Sequence, residues 1–306
     1  MNSFKIITGR YAPSPSGILH LGNMTTSLLT WLDSRSAGGS IVLRMEDLDP
    51  ERSSAAFASQ IAADLKLLGL DWDRGYPQHK YSQSNRTELY EDVFGILMRR
   101  NMLYPCYCSR SERLAASAPH PGEVYRDPCC KCRYLSRLER EELEAKGRKP
   151  AWKVKVPDKR IYFADGHYGA FEENLAAGGD FIIKRSDGVF AYQLAVSFDD
   201  MDMGISRVVR GRDLLDSTAR QIWLISELGG RPPEYCHAPL LVSGAGKMSK
   251  RSGELNMEYL RTRFSPEEFL GHMARILGLS SGAPTSAEEL LNVFSWDKIS
   301  KNDIMI

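Results

Sequence analysis

The stretch from Arg10 to Asn23, RYAPSPSGILHLGN, constrains the fold more than any other part of the chain. It follows an apolar run, Phe4 to Thr8, that predicts a strand, and it leads into an apolar periodic segment that predicts a helix over about Leu21 to Ser36. Pro13, Pro15 and Gly17 stiffen and then turn the backbone between the two. The helix N-terminus, with its free N–H groups and partial positive charge, then faces whatever lies over the strand ends, a place suited to phosphate. His20 stands at the mouth of this turn, and Gly22 beside it lets a ligand come close to the backbone. Far down the chain a second loop, SGAGKMSKRSGE, sets Lys247, Lys250 and Arg251 between Gly244, Gly246 and Gly253. Such a loop can close over polyphosphate, with lysine as a flexible point charge and glycine as hinge.

Between the two loops the pattern alternates. Ser40 to Met45, SIVLRM, predicts a β-branched strand, and Glu46 and Asp47 sit at its end. Phe57, Ile61, Leu65 and Leu68 have helical spacing, and a further helix is expected over about Asn85 to Asn101. This alternation predicts a parallel sheet covered by helices, in which ligands bind beyond the strand C-termini. A buried Glu46 could there hold a ligand ammonium. From Leu103 to about Gly179 the pattern breaks into short strands (Trp152 to Val156, Arg160 to Phe163) and a charged helix, Ser136 to Lys146. That composition suggests a module inserted between two halves of one sheet. The second half resumes at Asp180, where FIIKRSDGVFAYQLAVSFDD reads as a hairpin of two strands that places Tyr192 near a strand end. Next comes a strand running into an amphipathic helix, with Arg210 at the junction. After Met257, short helices over Pro266 to Leu277 and Ala287 to Phe294 form a small appendage. The expected divisions are 1–102, 103–179, 180–256 and 257–306.

With 306 residues the chain can bury a full core, and its net charge of +1 means that any RNA contact must come from a local basic face. No apolar run approaches the roughly 20 residues that span a bilayer, and the start lacks a signal-peptide block, so a cytoplasmic protein away from membranes is expected. Five of the six cysteines fall between Cys106 and Cys132, which in a cytosolic chain favours a metal over disulfides. Paired thiolates two residues apart, followed by a second cluster, suit a tetrahedral zinc that ties together a module poor in apolar core.

Pro13-Ser-Pro-Ser-Gly-Ile-Leu-His20-Leu-Gly22-Asn23 resembles the HIGH signature of class I aminoacyl-tRNA synthetases, and Lys247-Met-Ser-Lys250-Arg251 resembles their KMSKS loop. Arg10-Tyr-Ala12-Pro-Ser14, Arg44-Met-Glu46, Leu70-Asp-Trp-Asp, Ala191-Tyr192-Gln and Val209-Arg210-Gly are similar to the glutamyl branch. The resemblance covers nearly all of the chain and is weakest over 109–149 and after 257. It implies an α/β fold: a Rossmann-like parallel sheet split by a zinc-containing insertion, with a short C-terminal helical appendage. It implies a ligase that activates L-glutamate with ATP and Mg2+. In that reading His20 and Lys250 are catalytic, and His20, Gly22, Asn23, Lys247 and Lys250 bind ATP. Arg10, Ala12, Ser14, Glu46, Tyr192 and Arg210 bind glutamate, and which arginine takes which carboxylate stays open. The family's Zn2+ module implies Cys106, Cys108, Tyr125 and Cys129 as ligands, with Cys130 and Cys132 as further candidates for the fourth place. Only 55 residues follow Arg251, short for an anticodon-binding region. The closer likeness is therefore to truncated members of the branch, monomers that place glutamate on queuosine in the anticodon loop of tRNA(Asp). The alternative is the catalytic core of an enzyme that charges a tRNA 3′ end with glutamate.

Overall fold

The structure, a computed structural model, describes residues 7–109, 130–243, 246–247 and 257–306. The first half-sheet is parallel, with β1 (Thr8–Tyr11), β2 (Ser40–Leu43) and β3 (Arg74–Gly75) in that order. Thr8 to Tyr11 pair in step with Ser40 to Leu43. Helix α1 (Leu21–Ser36) crosses from β1 to β2, and α2 (Ala55–Leu67) follows β2. Leu21, Met24, Leu28, Leu29 and Leu32 recur at three- and four-residue intervals and are all buried, the stripe that makes α1 a core helix. Gly9 has no side chain, which lets α1 settle on β1 beside Ser34.

Next come α3 (Thr87–Arg99) and β4 (Leu103–Cys106), then α4 (Arg137–Ala145) and β5 (Ala151–Val154). The hairpin β6 (Arg160–Asp165) and β7 (Gly169–Asn174) leads through α5 (Leu175–Gly178) to β8 (Phe181–Lys184). β4, β5 and β8 form a small antiparallel sheet. The β6–β7 hairpin joins a different sheet. β6 pairs in parallel with β10 (Glu234–Ala238), which pairs in parallel with β9 (Arg207–Gly211). β9 lies beside β1, where the Ser206 N–H donates to the Thr8 carbonyl at 2.9 Å, so the two half-sheets meet edge to edge.

Two expectations need correction. Of the strand expected over 4–8, residues 4–6 lie outside the described residues; the strand seen is Thr8–Tyr11, which puts Arg10 within a strand instead of in the turn after it. The second strand of the expected hairpin is a helix, α6 (Tyr192–Asp202). The turn does form, with the Arg185 N–H donating to the Val189 carbonyl at 2.8 Å, but pairing stops after a single bridge between Lys184 and Phe190. The local β-propensity of the Val196 region loses to packing, because α6 buries Leu194, Ala195 and Val196 and lies against α7 (Thr218–Glu227). Tyr192 is therefore the first residue of a helix, not the end of a strand.

The C-terminal appendage contains α8 (Met257–Arg263), α9 (Pro266–Ile276) and α10 (Ala287–Leu291). It shares the main core: Phe269, Leu270, Met273 and Leu290 pack in one cluster with Leu28, Leu32, Ile41 and Leu65. Trp296 donates from its indole N–H to Asp33 on α1 at 2.8 Å. No helix among the described residues is long and apolar enough to cross a membrane.

Candidate active site

His20 is the N-cap of α1. Its Nδ1 accepts from the Asn23 N–H at 3.3 Å, and the Asn23 Oδ1 accepts from the His20 N–H at 3.3 Å, a reciprocal cap that satisfies two donors at once. A neutral imidazole whose Nδ1 accepts carries its proton on Nε2, so the ring has one donor set by the helix start. A side chain at Gly22 would come within 3.1 Å of Cε1 and Nδ1 of this ring, so glycine there preserves the ring's position.

The helix start opens into a cleft of about 460 Å3. Arg10, Ala12, Ser14, His20, Gly22, Asn23, Glu46, Tyr192 and Arg210 all line it. The structure thus gathers nine of the residues singled out in the sequence around one space at the strand C-termini. Lys250 and Arg251 lie outside the described residues. Of Lys247 only the backbone is described, paired with Val242 in the antiparallel turn of β11 (Leu241–Ser243) and β12 (Gly246–Lys247).

One wall is a buried charge network. Arg10 donates from Nη1 to the Val209 carbonyl at 2.9 Å, and its Nε stands 3.6 Å from Asp200. Arg44 donates to Asp200 at 2.8 Å and to Glu46 at 3.0 Å. Asp199 accepts from Arg86 at 2.8 Å, Gln83 at 2.7 Å and the Tyr90 hydroxyl at 2.9 Å. Burial works against the charge on Arg44, but Asp200, Glu46 and Asp199 together hold its pKa above the ordinary arginine value. For Glu46 burial dominates and raises the carboxyl, with Arg44 and Arg10 pulling the other way. A ligand ammonium beside Glu46 would offset that burial. Burial, and then the charge of Glu46, push the Tyr192 phenol up, which keeps it a protonated donor.

The opposite electrostatics hold at Arg210, which is 3% exposed. Its Nε donates to His237 Nε2 at 3.0 Å, Nη1 to Gln221 at 2.6 Å, and Nη2 to the Thr218 hydroxyl at 2.8 Å and the Leu214 carbonyl at 3.2 Å. The guanidinium lies 4.9 Å from the ring centre of Tyr235. Burial lowers the pKa of His237, the hydrogen bond to Asp165 opposes it and the charge of Arg210 adds to the lowering; because Arg210 Nε–H donates to it, His237 Nε2 carries no proton and the ring is neutral. Arg210 is thus a buried cation held by neutral groups, and a carboxylate in the cleft is the partner that such a cation calls for.

Sequence reasoning missed Asp199, Asp200, Arg86, Asp165 and His237. The first two lay in the segment read as a strand, where an acidic pair looks like a solvated end. On a helix the pair faces the core.

The insertion holds a second constellation. The sulfurs of Cys106, Cys108, Cys130 and Cys132 all lie within 4.8 Å of one another. Cys106 and Cys130 are 3.4 Å apart, Cys108 and Cys130 3.9 Å, and Cys108 and Cys132 3.6 Å. Tetrahedral thiolates about 2.3 Å from a zinc stand about 3.8 Å from each other, so these spacings fit such a centre. Burial, and then the Cys132 sulfur, push the Cys108 thiol up to about 12, while the other sulfurs pull the Cys132 thiol far below its usual range, and a divalent cation would hold both as thiolates. The four cysteines can hold a metal ion. Tyr125 and Cys129, implied as ligands by resemblance, lie outside the described residues, and Cys130 and Cys132 complete a set of four without them.

A family model described as tRNA synthetases class I (E and Q), catalytic domain, matches residues 6–305. A glutamyl-Q tRNA(Asp) synthetase of Symbiobacterium thermophilum is 45% identical over 98% of this chain and 96% of its own length. Glutamate–tRNA ligase 2 of Syntrophus aciditrophicus is 40% identical over 96% of this chain and 62% of its own. The solved glutamate tRNA ligase from Elizabethkingia meningosepticum, in complex with its amino acid, matches with a TM-score of 0.81 at 26% identity, over 98% of this chain and 67% of that one. With this match to the sequence and the cleft at the strand ends, the chain belongs to the class I tRNA synthetases of the E and Q group and is a ligase.

Proposed function

We propose that the protein activates L-glutamate with ATP to glutamyl-adenylate and passes the glutamate to the queuosine nucleoside in the anticodon loop of tRNA(Asp). The observation that carries the amino-acid part is Arg210, a buried guanidinium with four neutral partners in the same cleft as Glu46. Glutamate has two carboxylates and one ammonium. Arg210 and Arg10 take the carboxylates, Glu46 takes the ammonium, Tyr192 donates its hydroxyl, and Ala12 and Ser14 line the backbone side. With four of its five N–H groups engaged, Arg210 offers a ligand carboxylate its charge and one remaining N–H instead of a bidentate fork.

ATP lies at the start of α1, against Gly22 and Asn23, with the His20 Nε2–H facing its phosphates. The α-carboxylate of glutamate attacks the α-phosphate in line, and pyrophosphate leaves with its magnesium. His20, Lys247 and Lys250 stabilise the charge that develops, and no side chain acts as a covalent nucleophile. Zinc at Cys106, Cys108, Cys130 and Cys132 would act as a structural ion that holds the module together. The acceptor assignment follows the name carried by relatives 45% identical over nearly the whole chain. A cytoplasmic site of action goes with these substrates.

The test is in two parts. Pyrophosphate exchange should require glutamate and ignore glutamine. Labelled glutamate given to a tRNA pool should map by nuclease digestion to the anticodon loop of tRNA(Asp). Label on the terminal adenosine would establish the 3′-end reading in its place.

A further inference from the structure

Arg210 does not stand alone. The parallel register of β9 and β10 sets His237 directly opposite Arg210, and the register of β10 and β6 sets Asp165 opposite Tyr235, two residues earlier. His237 Nδ1 lies 2.6 Å from Asp165 Oδ2, and the side chains of both are fully buried. Asp165 is itself fixed by three backbone N–H groups, from His167 at 3.0 Å, Tyr168 at 2.9 Å and His237 at 3.1 Å. Because the Arg210 Nε–H must donate, His237 Nε2 must accept, so its proton sits on Nδ1 and is given to Asp165. The three side chains form one line of hydrogen bonds from the hairpin of the inserted segment to the cleft.

We propose that Asp165 and His237 are positioning residues for Arg210, setting the direction of its guanidinium while keeping a carboxylate off it, so that its charge is left for the ligand's carboxylate. An acid placed directly on Arg210 would orient it equally well but would compete with the substrate. The neutral imidazole keeps the acid one ring away. Tyr235 supplies a floor, its ring 10° from parallel with the imidazole. This inference rests on the reading of Arg210 as a glutamate ligand given above.

The test is glutamate-dependent pyrophosphate exchange by the full chain, with KM for glutamate and for ATP measured separately and thermal unfolding followed in parallel. His237→Ala should raise the glutamate KM about 10- to 100-fold while the ATP KM stays within about twofold. His237→Gln should recover most of the loss, since its amide can give oxygen to Arg210 and N–H to Asp165. Asp165→Asn should raise the glutamate KM as well, because an amide N–H facing His237 would turn the ring's proton towards Arg210. A glutamate KM near wild type in His237→Ala overturns the proposal, and so does a glutamine variant no better than alanine or an equal rise in the ATP KM. Should the alanine variant fail to fold, Asp165→Asn decides, and an unchanged glutamate KM there overturns it. Arg210→Leu separates the two levels. If it leaves the glutamate KM unchanged, the ligand assignment itself fails; if it abolishes exchange while His237→Ala does nothing, only the positioning role fails.

Discussion

His20 shows how much one side chain can be asked to do. It caps α1 through Nδ1 and lines the cleft, so the cap and the role proposed for it depend on one ring orientation. Gly22 leaves room for that orientation. In Gly22→Ala the new methyl would meet the ring at 3.1 Å, tighter than an ordinary carbon contact, and the ring would have to shift by a few tenths of an ångström. The expected result is a fall of about 10-fold or more in the rate of pyrophosphate exchange, from a misplacement of the kind that costs positioned groups dearly. Glutamate KM should change little. Exchange at the wild-type rate with a shifted ring would remove His20 from the chemistry.

Among the elements, the junction of β4 with the turn around Lys131–Tyr134 packs around a small cluster rich in sulfur. Its cluster is Tyr104, Tyr107 and three of the sulfurs. Asp180 ties it to the rest, accepting from the Tyr104 hydroxyl at 3.0 Å, Arg133 at 3.1 Å and the Val156 N–H at 2.7 Å. A metal should therefore carry much of its order. Purified protein should hold about one zinc per chain, and Cys132→Ser should lose it. Hydrogen exchange after chelation should quicken over 103–106 and 130–134 while 28–32 and 41–43 keep their protection. Uniform quickening across both regions, or a fully protected module without metal, would contradict this. The same scale explains the largest misreading. AYQLAVSFDD contains strand-forming residues, and only its packing against α7 selects a helix. By contrast the turn and the helix that ends at Ser36 were legible, because prolines and Gly17 act between near neighbours, whereas the strand before them begins at Thr8, later than its apolar run predicts.

At the scale of the whole molecule, the buried polar line from Asp165 to Arg210 makes stability depend on pH. His237 has a folded pKa below the ordinary histidine value of 6.5, because burial, helped by Arg210, disfavours its charge more than the hydrogen bond to Asp165 favours it. As the pH falls below 6.5 the unfolded chain takes up this proton first, so stability is lost between there and the lower folded value. Asp165 adds to the loss further down. Burial opposes its ionisation, but the hydrogen bond from His237 and the backbone donors hold its carboxyl below 3.8, so its contribution disappears as the pH falls through that lower value. Denaturant unfolding should show a slope in the upper window that His237→Gln flattens, and an unchanged slope would mean that His237 does not titrate as described. Sequence alone was enough for the local pieces: the proline-rich turn, the helix that starts at Leu21, the strand before Glu46 and the paired thiols at Cys106 and Cys108. Each follows from dihedral limits, caps or spacing within a few residues. What stands around Arg210 came from tertiary packing. Asp165 and His237 are 72 residues apart, and His237 and Arg210 are 27 apart. Their meeting depends on the register of three parallel strands, which the packing of the whole core sets and no local pattern encodes.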